Sequence, residues 1–274
     1  CVNKMNYDEY FKLCRQAYNK EAPNASIESF YENPVNILPT DSFSQDYHDL
    51  IETLANKVSV DFDNETECSN DNIMMKHENI WKFHNELLEL SNILVPYLEE
   101  NKYGCHLYVD KIYIYRTLKL ENRVSSYEWH YDNNPDEVVK TLIYLNDVTK
   151  KNSPFEYLQS PKGTGVLGLC TRRGTDTWYP PPNNSRVGHL IEGLKEKGFT
   201  PTQVEGKKAT AISFINNSIH RANPILEGYR DVINIRVKPT LQKAPEYTNP
   251  MFTTSYEISG VVNRNPAPAW TIKH

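Results

Sequence analysis

Two histidines and one aspartate form a set whose residue types and spacing could bind a metal. His130 and Asp132 are two positions apart in a run with the composition of a strand, so their side chains leave the same face of it. His220 lies in a second strand-like run farther along the chain. Two imidazoles and one carboxylate occupy one face of a divalent metal such as Fe(II) and leave the other positions open. The three residues therefore predict a metal centre that can bind further ligands.

The strand predicted at 231–239 carries basic residues on one face. Arg230, Asn234 and Arg236 share that face by alternation, whereas the opposite face is mainly apolar. A guanidinium inside a barrel needs an anionic partner, because an unpaired buried charge is very costly. A bound dicarboxylate would supply one, since arginine is well shaped for bidentate carboxylate contact. Both arginines are candidates for this contact.

The segments that must position these residues change character near residue 105. Before it, apolar side chains recur every 3.6 residues at 7–18, 43–58 and 80–97, which predicts helices. After it, short runs rich in Tyr, Val, Ile and Thr predict strands. These strands are predicted at 106–118, 126–132, 138–146, 154–159, 165–170, 210–216, 219–223 and 231–239. The order predicts an α+β fold with a mainly β core, a barrel or jelly roll with N-terminal helices packed on its outer face.

We expect one catalytic domain over residues 1–274, because His130 and His220 must meet at one metal. Residues 1–104 form its helical support region, 105–240 its β core and 241–274 a C-terminal extension. Residues 171–206 interrupt the series of strands, and an insertion of that size is usually a functional loop.

The insertion carries side chains suited to substrate contact, although a solvated loop is the alternative interpretation. Its basic residues favour a substrate with an anionic group. The candidates are Arg172, Arg173, Trp178, Tyr179 and Arg186.

Three segments, taken together and in order, resemble a known enzyme family. They are HYDNNP at 130–135, LIYLND at 142–147 and HRANPILEGYR at 220–230. The chain resembles the iron- and 2-oxoglutarate-dependent dioxygenases over residues 108–240, and it looks most like their prolyl-hydroxylase-type branch. That branch carries HxD, a strand ending in YLN and a distal H-x3-P-x3-G-x-R block. The resemblance implies a cupin-like double-stranded β-helix.

The resemblance also implies the ligands of the metal and of the cosubstrate. Fe(II) would be held by His130, Asp132 and His220, and 2-oxoglutarate would chelate it through its 1-carboxylate and 2-oxo groups. Arg230 would pair with the distal carboxylate of 2-oxoglutarate, which leaves Arg236 as the rival anchor.

Further residues of the cosubstrate pocket follow from the same resemblance. Tyr144, at the Tyr of the YLN strand, would hydrogen-bond the distal carboxylate. Tyr115 matches another cosubstrate-side Tyr, but a long stretch before His130 leaves Tyr113 as the alternative. Asn234 shares a face with Arg230 and is expected to line the pocket.

The activity implied is hydroxylation of an unactivated C–H bond with O2, releasing succinate and CO2. The substrate is a peptidyl residue, a free amino acid or a small metabolite, and the prolyl-type motifs favour a proline-like or peptidyl target. Desaturation, demethylation or ring closure at the same iron site is one alternative, and a non-catalytic β-helix that only binds is another. The carboxylate of Asp132 favours hydroxylation over halogenation, because related halogenases lack this ligand.

Composition excludes several other classes of protein. Lys and Arg total 30 against 35 Asp and Glu, a net charge of −5, so no general positive field attracts nucleic acid. We identify no apolar run near the roughly 20 residues that a membrane span needs. The 5 Cys are scattered, which favours a reducing, cytoplasmic location.

Overall fold

Three N-terminal helices form where apolar residues repeat every 3.6 positions. The computed structural model describes residues 7–22, 31–64, 72–74, 80–119, 125–132, 137–168 and 185–243. Helix α1 spans Tyr7–Glu21, α2 spans Gln45–Asp63 and α3 spans His84–Leu98. Each helix buries one row of apolar side chains, which confirms the predicted helical region. The rows include Tyr10, Phe11, Cys14 and Tyr18, then Tyr47, Ile51, Leu54 and Val58, then Leu87, Leu90 and Leu94.

These helices pack against the larger of two β-sheets. Its strands are β1 (Val35–Leu38), β2 (Asn72–Met74), β3 (His106–Thr117), β4 (Val139–Tyr144), β7 (Ala211–Ile215) and β9 (Arg230–Thr240). They lie in the order β1-β7-β4-β9-β3-β2, and neighbours are antiparallel. Ile233, Ile235 and Val237 of β9 share one apolar cluster with the helices. The apolar face predicted for this strand therefore packs on the helices, and its other face looks into the β core.

The smaller sheet packs against that inner face. It contains β5 (Phe155–Gln159), β6 (Thr200–Val204) and β8 (His220–Ala222) in the antiparallel order β6-β5-β8. Apolar side chains from both sheets meet in one cluster, among them Leu142 and Val232 from the larger sheet and Phe155 and Val204 from the smaller. Two antiparallel sheets face to face form the predicted double-stranded β-helix.

Short helical segments complete the described chain. They are Thr40–Ser42, Trp81–Phe83, Glu99–Tyr103, Ser125–Tyr127, Gly188–Leu190 and α4 at Ile191–Lys195. In the part of the chain that the structure describes, no helix has both the length and the apolarity needed to cross a membrane.

The structure differs from the predicted strands in several places. Strands β1 and β2 lie within the region 1–104 that was predicted to be helical, and in the strand predicted at 165–170 the described residues Gly165 and Leu167 make only isolated β-bridges. Residues 200–204, assigned from sequence to the insertion, form strand β6 of the smaller sheet. The strand was missed because it is short and polar and contains Pro201, a residue that is tolerated at a sheet edge. In the run predicted as a strand at 126–132, Ser125–Tyr127 forms a helical turn and His130 makes isolated β-bridges.

The buried thiol of Cys14 predicts a loss of stability at alkaline pH. Burial raises the pKa of the Cys14 thiol from 9.0 to about 12. The folded protein therefore keeps this proton where the unfolded chain releases it. The contribution of this thiol to the free energy of unfolding is fully present below pH 9. It falls as the pH rises toward 12, by up to about 1.4 kcal/mol per pH unit. Urea unfolding at several alkaline pH values measures this slope. The slope should be shallower in Cys14→Ala, and an identical slope in that variant would contradict the assignment.

Candidate metal centre and adjoining cavity

The smaller sheet brings the two predicted histidine ligands together. His130 and His220 lie directly opposite each other and exchange two backbone hydrogen bonds, with N···O distances of 3.0 and 2.9 Å. The amide of Asp132 donates to the carbonyl of Asn216 at 3.0 Å, which fixes the chain just beyond His130. Ligand atoms of His130, Asp132 and His220 all lie within 4.8 Å of one another. The predicted set therefore converges at one point.

Each imidazole is oriented by a backbone carbonyl. Nδ1 of His130 lies 2.7 Å from the carbonyl oxygen of Glu128, and Nδ1 of His220 lies 2.7 Å from that of Ser218. A carbonyl oxygen only accepts, so Nδ1 carries the proton and Nε2 keeps its lone pair in both rings. Burial lowers the pKa of His130 and lowers that of His220 to about 3, so both rings are neutral at pH 7. Neutral imidazole is the form that binds metal.

The two oxygens of Asp132 have different partners. Oδ2 accepts a hydrogen bond from Lys140 Nζ at 2.6 Å, and Oδ1 lies 3.8 Å from Nε2 of His130. Burial raises the pKa of this carboxyl, but the positive charge of Lys140 and its hydrogen bond oppose burial, and the pKa lies below its usual range. Two neutral imidazoles and one ionised carboxylate fit a divalent transition metal such as Fe(II).

The three candidate ligands line a cavity of about 410 Å³ between the two sheets. Arg230 and Asn234 of β9 and Tyr115 of β3 also line it, from the larger sheet. The cavity has the size typical of a small-molecule site. Lys140 lines it as well and was not singled out from the sequence, although a lysine within the apolar run 138–146 is a signal that could have identified it.

Arg230 is buried in this cavity with part of its guanidinium unsatisfied. Nη1 donates to the carbonyl of Ser153, and Nη2 donates to Oγ1 of Thr117 at 3.2 Å. Among the described residues, its Nε has no hydrogen-bond partner and no carboxylate lies within ion-pair distance of the guanidinium. An anion entering the cavity would provide that partner.

Arg236, the rival anchor, is differently placed. Its guanidinium forms an ion pair with Asp110, a buried carboxylate that also contacts Lys238 Nζ at 3.1 Å. Arg236 is not among the residues that line the cavity. The structure therefore distinguishes two arginines that strand alternation placed on the same face.

The predicted pocket residues differ in their access to the cavity. The hydroxyl of Tyr144 donates to the carbonyl of Val204 at 2.8 Å and accepts from the amide of Phe155 at 3.0 Å, and this side chain does not line the cavity. Of the two alternatives on β3, Tyr115 lines the cavity and Tyr113 does not. Asn234 lines it with a buried Oδ1 that has no hydrogen-bond partner in the part of the chain that the structure describes.

The structure locates one of the five candidate substrate residues. Arg186 lines the cavity, with its Nε 3.6 Å from a carboxylate oxygen of Glu128. The other candidates lie outside the described residues, and they are Arg172, Arg173, Trp178 and Tyr179.

Comparisons with known proteins found similarity at the level of structure. No protein-family model matches the chain, and no curated protein sequence is similar to it. Among solved structures, HygX from Streptomyces hygroscopicus with nickel and 2-oxoglutarate bound has a TM-score of 0.48 and 16% identity, covering 78% of this chain and 86% of that one. EctD from S. alaskensis with bound Fe has a TM-score of 0.47 and 17% identity, covering 82% and 80%. AviO1 from Streptomyces viridochromogenes Tue57 has a TM-score of 0.46 and 16% identity, covering 78% and 93%.

Proposed function

We propose that this protein is an Fe(II)- and 2-oxoglutarate-dependent oxygenase that hydroxylates an unactivated C–H bond. One observation carries the proposal: a convergent His130, Asp132 and His220 set shares its cavity with Arg230, a buried arginine without a carboxylate partner among the described residues. A metal site alone suits many functions. A metal site with a buried carboxylate receptor suits a metal-bound dicarboxylate.

The residues of the cavity divide the tasks of binding and orientation. Nε2 of His130, Nε2 of His220 and a carboxylate oxygen of Asp132 would hold Fe(II) on one face. The guanidinium of Arg230 would pair with the distal carboxylate of 2-oxoglutarate and so fix its orientation relative to the metal. Bound together with O2, iron and 2-oxoglutarate supply an oxidant for C–H bonds and release succinate and CO2.

The aromatic lining of the cavity supports a reaction protected from water. The ring of Phe155 stacks near His220 with centroids 5.5 Å apart, and the ring of Phe214 lies 5.0 Å from His220. Apolar rings beside the metal ligands keep bulk water from the reacting centre. Because 2-oxoglutarate would fill part of the 410 Å³, the remaining room favours a small metabolite, an amino acid or a single peptidyl side chain such as proline.

Anaerobic reconstitution tests this function directly. We expect Fe(II) followed by 2-oxoglutarate to give the weak visible charge-transfer band of the chelate, and O2 to convert 2-oxoglutarate into succinate. Absorption spectroscopy and succinate quantification provide the measurements. His130→Ala is the negative control, because it removes one of the two imidazole ligands. A wild-type protein without the band, or a band of equal strength in His130→Ala, would contradict the proposal.

A further inference from the structure

Lys140 is a cation of the cavity wall that contacts a candidate metal ligand directly. Its Nζ donates to Oδ2 of Asp132 at 2.6 Å, and each side chain is 18% exposed. An ion pair this far from water is weakly screened, and removing one partner leaves the other charge buried without compensation. The contact therefore differs from an exposed ion pair, which contributes little free energy.

The backbone fixes the distance between these two residues. The amide of Asp132 donates to the carbonyl of Asn216 at 3.0 Å, and the amide of Asn216 donates to the carbonyl of Val138 at 2.9 Å. Asn216 thus joins the segment that carries Asp132 to the chain just before β4, close to Lys140. Because these are backbone bonds, they do not depend on the ion pair itself.

The neighbours of Lys140 on its own sheet direct its ammonium group toward Asp132. Lys140 lies opposite Phe214 of β7 and opposite Arg236 of β9. Phe214 offers no anion, and Arg236 is a second cation whose own partner is Asp110. Like charges directly opposite each other on a sheet repel. The ammonium group is therefore stabilised by turning away from Arg236 and toward the carboxylate of Asp132.

The two oxygens of Asp132 have separate tasks in this arrangement. Oδ2 accepts from Lys140, whereas Oδ1 lies 3.8 Å from Nε2 of His130, and the ligand atoms of the three candidate residues lie within 4.8 Å of one another. One oxygen can therefore bind the ion while the other remains bonded to Lys140.

The number of positions on the metal determines why this division matters. An octahedral ion held by one atom from each of three side chains keeps three positions open. A chelating 2-oxoglutarate needs two of them, and O2 needs the third. A carboxylate bound through both oxygens would occupy one of these positions.

We infer that Lys140 is a positioning residue, which holds Asp132 as a ligand through one oxygen and so keeps a metal position open for the cosubstrates. The inference rests on the proposed function, since that function supplies the metal and 2-oxoglutarate. Lys140 acts on the metal centre through a ligand, in contrast to Arg230, which would contact 2-oxoglutarate itself.

The number of water molecules on the metal tests this role. The full chain is loaded with Mn(II), a paramagnetic substitute for Fe(II), and water-proton relaxation at several magnetic fields counts the metal-bound waters. Before 2-oxoglutarate is added, we expect Lys140→Met to hold one water fewer than wild type, because both oxygens of Asp132 then bind the ion. Its Mn(II) affinity should be equal or greater, since a ligand atom is gained and a nearby positive charge is lost.

The same variant should bind 2-oxoglutarate more weakly. Addition of 2-oxoglutarate to the Mn(II) protein displaces waters, so the fall in relaxation gives its affinity. We expect a loss of about tenfold to a hundredfold in Lys140→Met, the range typical of residues that support a metal ligand. Lys140→Arg keeps a cationic donor and should recover most of the wild-type water count and affinity. A residue needed only for folding would instead weaken metal and cosubstrate binding together.

Lys111 provides the matched control for these measurements. It is a half-buried lysine of β3 opposite Arg236, and it is not among the residues that line the cavity. Lys111→Met should leave the water count and the 2-oxoglutarate affinity unchanged. Lys140→Ala repeats the removal with a smaller side chain, so the test does not depend on the folding of one variant.

The possible failures of the inference and of the proposed function can be told apart. An equal water count in wild type and in the folded removal variants would overturn the inference, because Lys140 would then release Asp132 when the metal binds. Weaker Mn(II) binding in those variants would also overturn it, while wild-type binding of the ion and of 2-oxoglutarate leaves the proposed function standing. Failure of wild type to bind Mn(II), or 2-oxoglutarate in its presence, would overturn the proposed function and this inference with it.

Discussion

Replacing His220 by alanine is expected to abolish stoichiometric binding of Fe(II) or Mn(II). The imidazole is one of three converging ligands, and its Nδ1 contact with the carbonyl of Ser218 keeps Nε2 available for the metal. The two remaining ligands cannot hold the ion on one face. We expect an affinity loss of at least about a hundredfold, since changes to supporting residues alone cost up to that much. Equilibrium dialysis with metal analysis measures the loss.

A matched histidine on the outside of the fold provides the control. His48 on helix α2 contacts the carbonyl of Thr40 and does not line the cavity. His48→Ala should bind metal as wild type does. Circular dichroism establishes that both variants are folded. Unchanged metal affinity in folded His220→Ala would place the metal centre elsewhere and would contradict the ligand assignment.

Replacing Arg230 by alanine is expected to raise the 2-oxoglutarate requirement far more than the metal requirement. The guanidinium is buried, holds its position through Ser153 and Thr117, and keeps an unsatisfied Nε. Loss of a buried charge-assisted pair costs about 2–5 kcal/mol, which is about thirtyfold to several thousandfold in affinity. Titration of the charge-transfer band with 2-oxoglutarate at saturating Fe(II) gives this affinity.

Arg236 provides the comparison for this measurement. Because its guanidinium is paired with Asp110 away from the cavity, Arg236→Gln should leave the affinity of the folded protein for 2-oxoglutarate unchanged. Arg230→Lys should recover part of the affinity by restoring a positive charge. A larger effect of Arg236→Gln than of Arg230→Ala would identify Arg236 as the anchor. A larger effect of Arg230→Ala on metal than on 2-oxoglutarate would remove Arg230 from the cosubstrate site.

The sequence could predict the positions of residues that follow from strand periodicity, which determines the face that each side chain occupies. Alternation placed His130 and Asp132 on one face, and the apolar side of β9 was correctly assigned to the helices. Alternation could not separate Arg230 from Arg236, because both follow the same period. Their difference comes from Asp110, which lies at an irregularity in the register of β3 and β9. Bulges of this kind leave no clear pattern in one sequence.

Other residues could not be assigned because their partners come from segments that sequence patterns did not identify. Tyr144 was expected at the cosubstrate, yet its hydroxyl bonds to Val204, a residue of the polar strand that was missed. The position of Arg186 depends on a bridge with His130 that forms only when two distant segments meet. Tertiary pairing, rather than local propensity, decides such contacts.

The direct pairing of His130 with His220 has a consequence for the fate of the protein in a metal-poor environment. Because the two ligands already share backbone hydrogen bonds, an ion that joins them binds the folded chain and finds no comparable site in the unfolded one. Free metal at a hundred times its dissociation constant would then add about 2.7 kcal/mol to the free energy of unfolding. Iron limitation would thus lower both the active fraction and the resistance of the chain to proteolysis, so that abundance follows the metal supply.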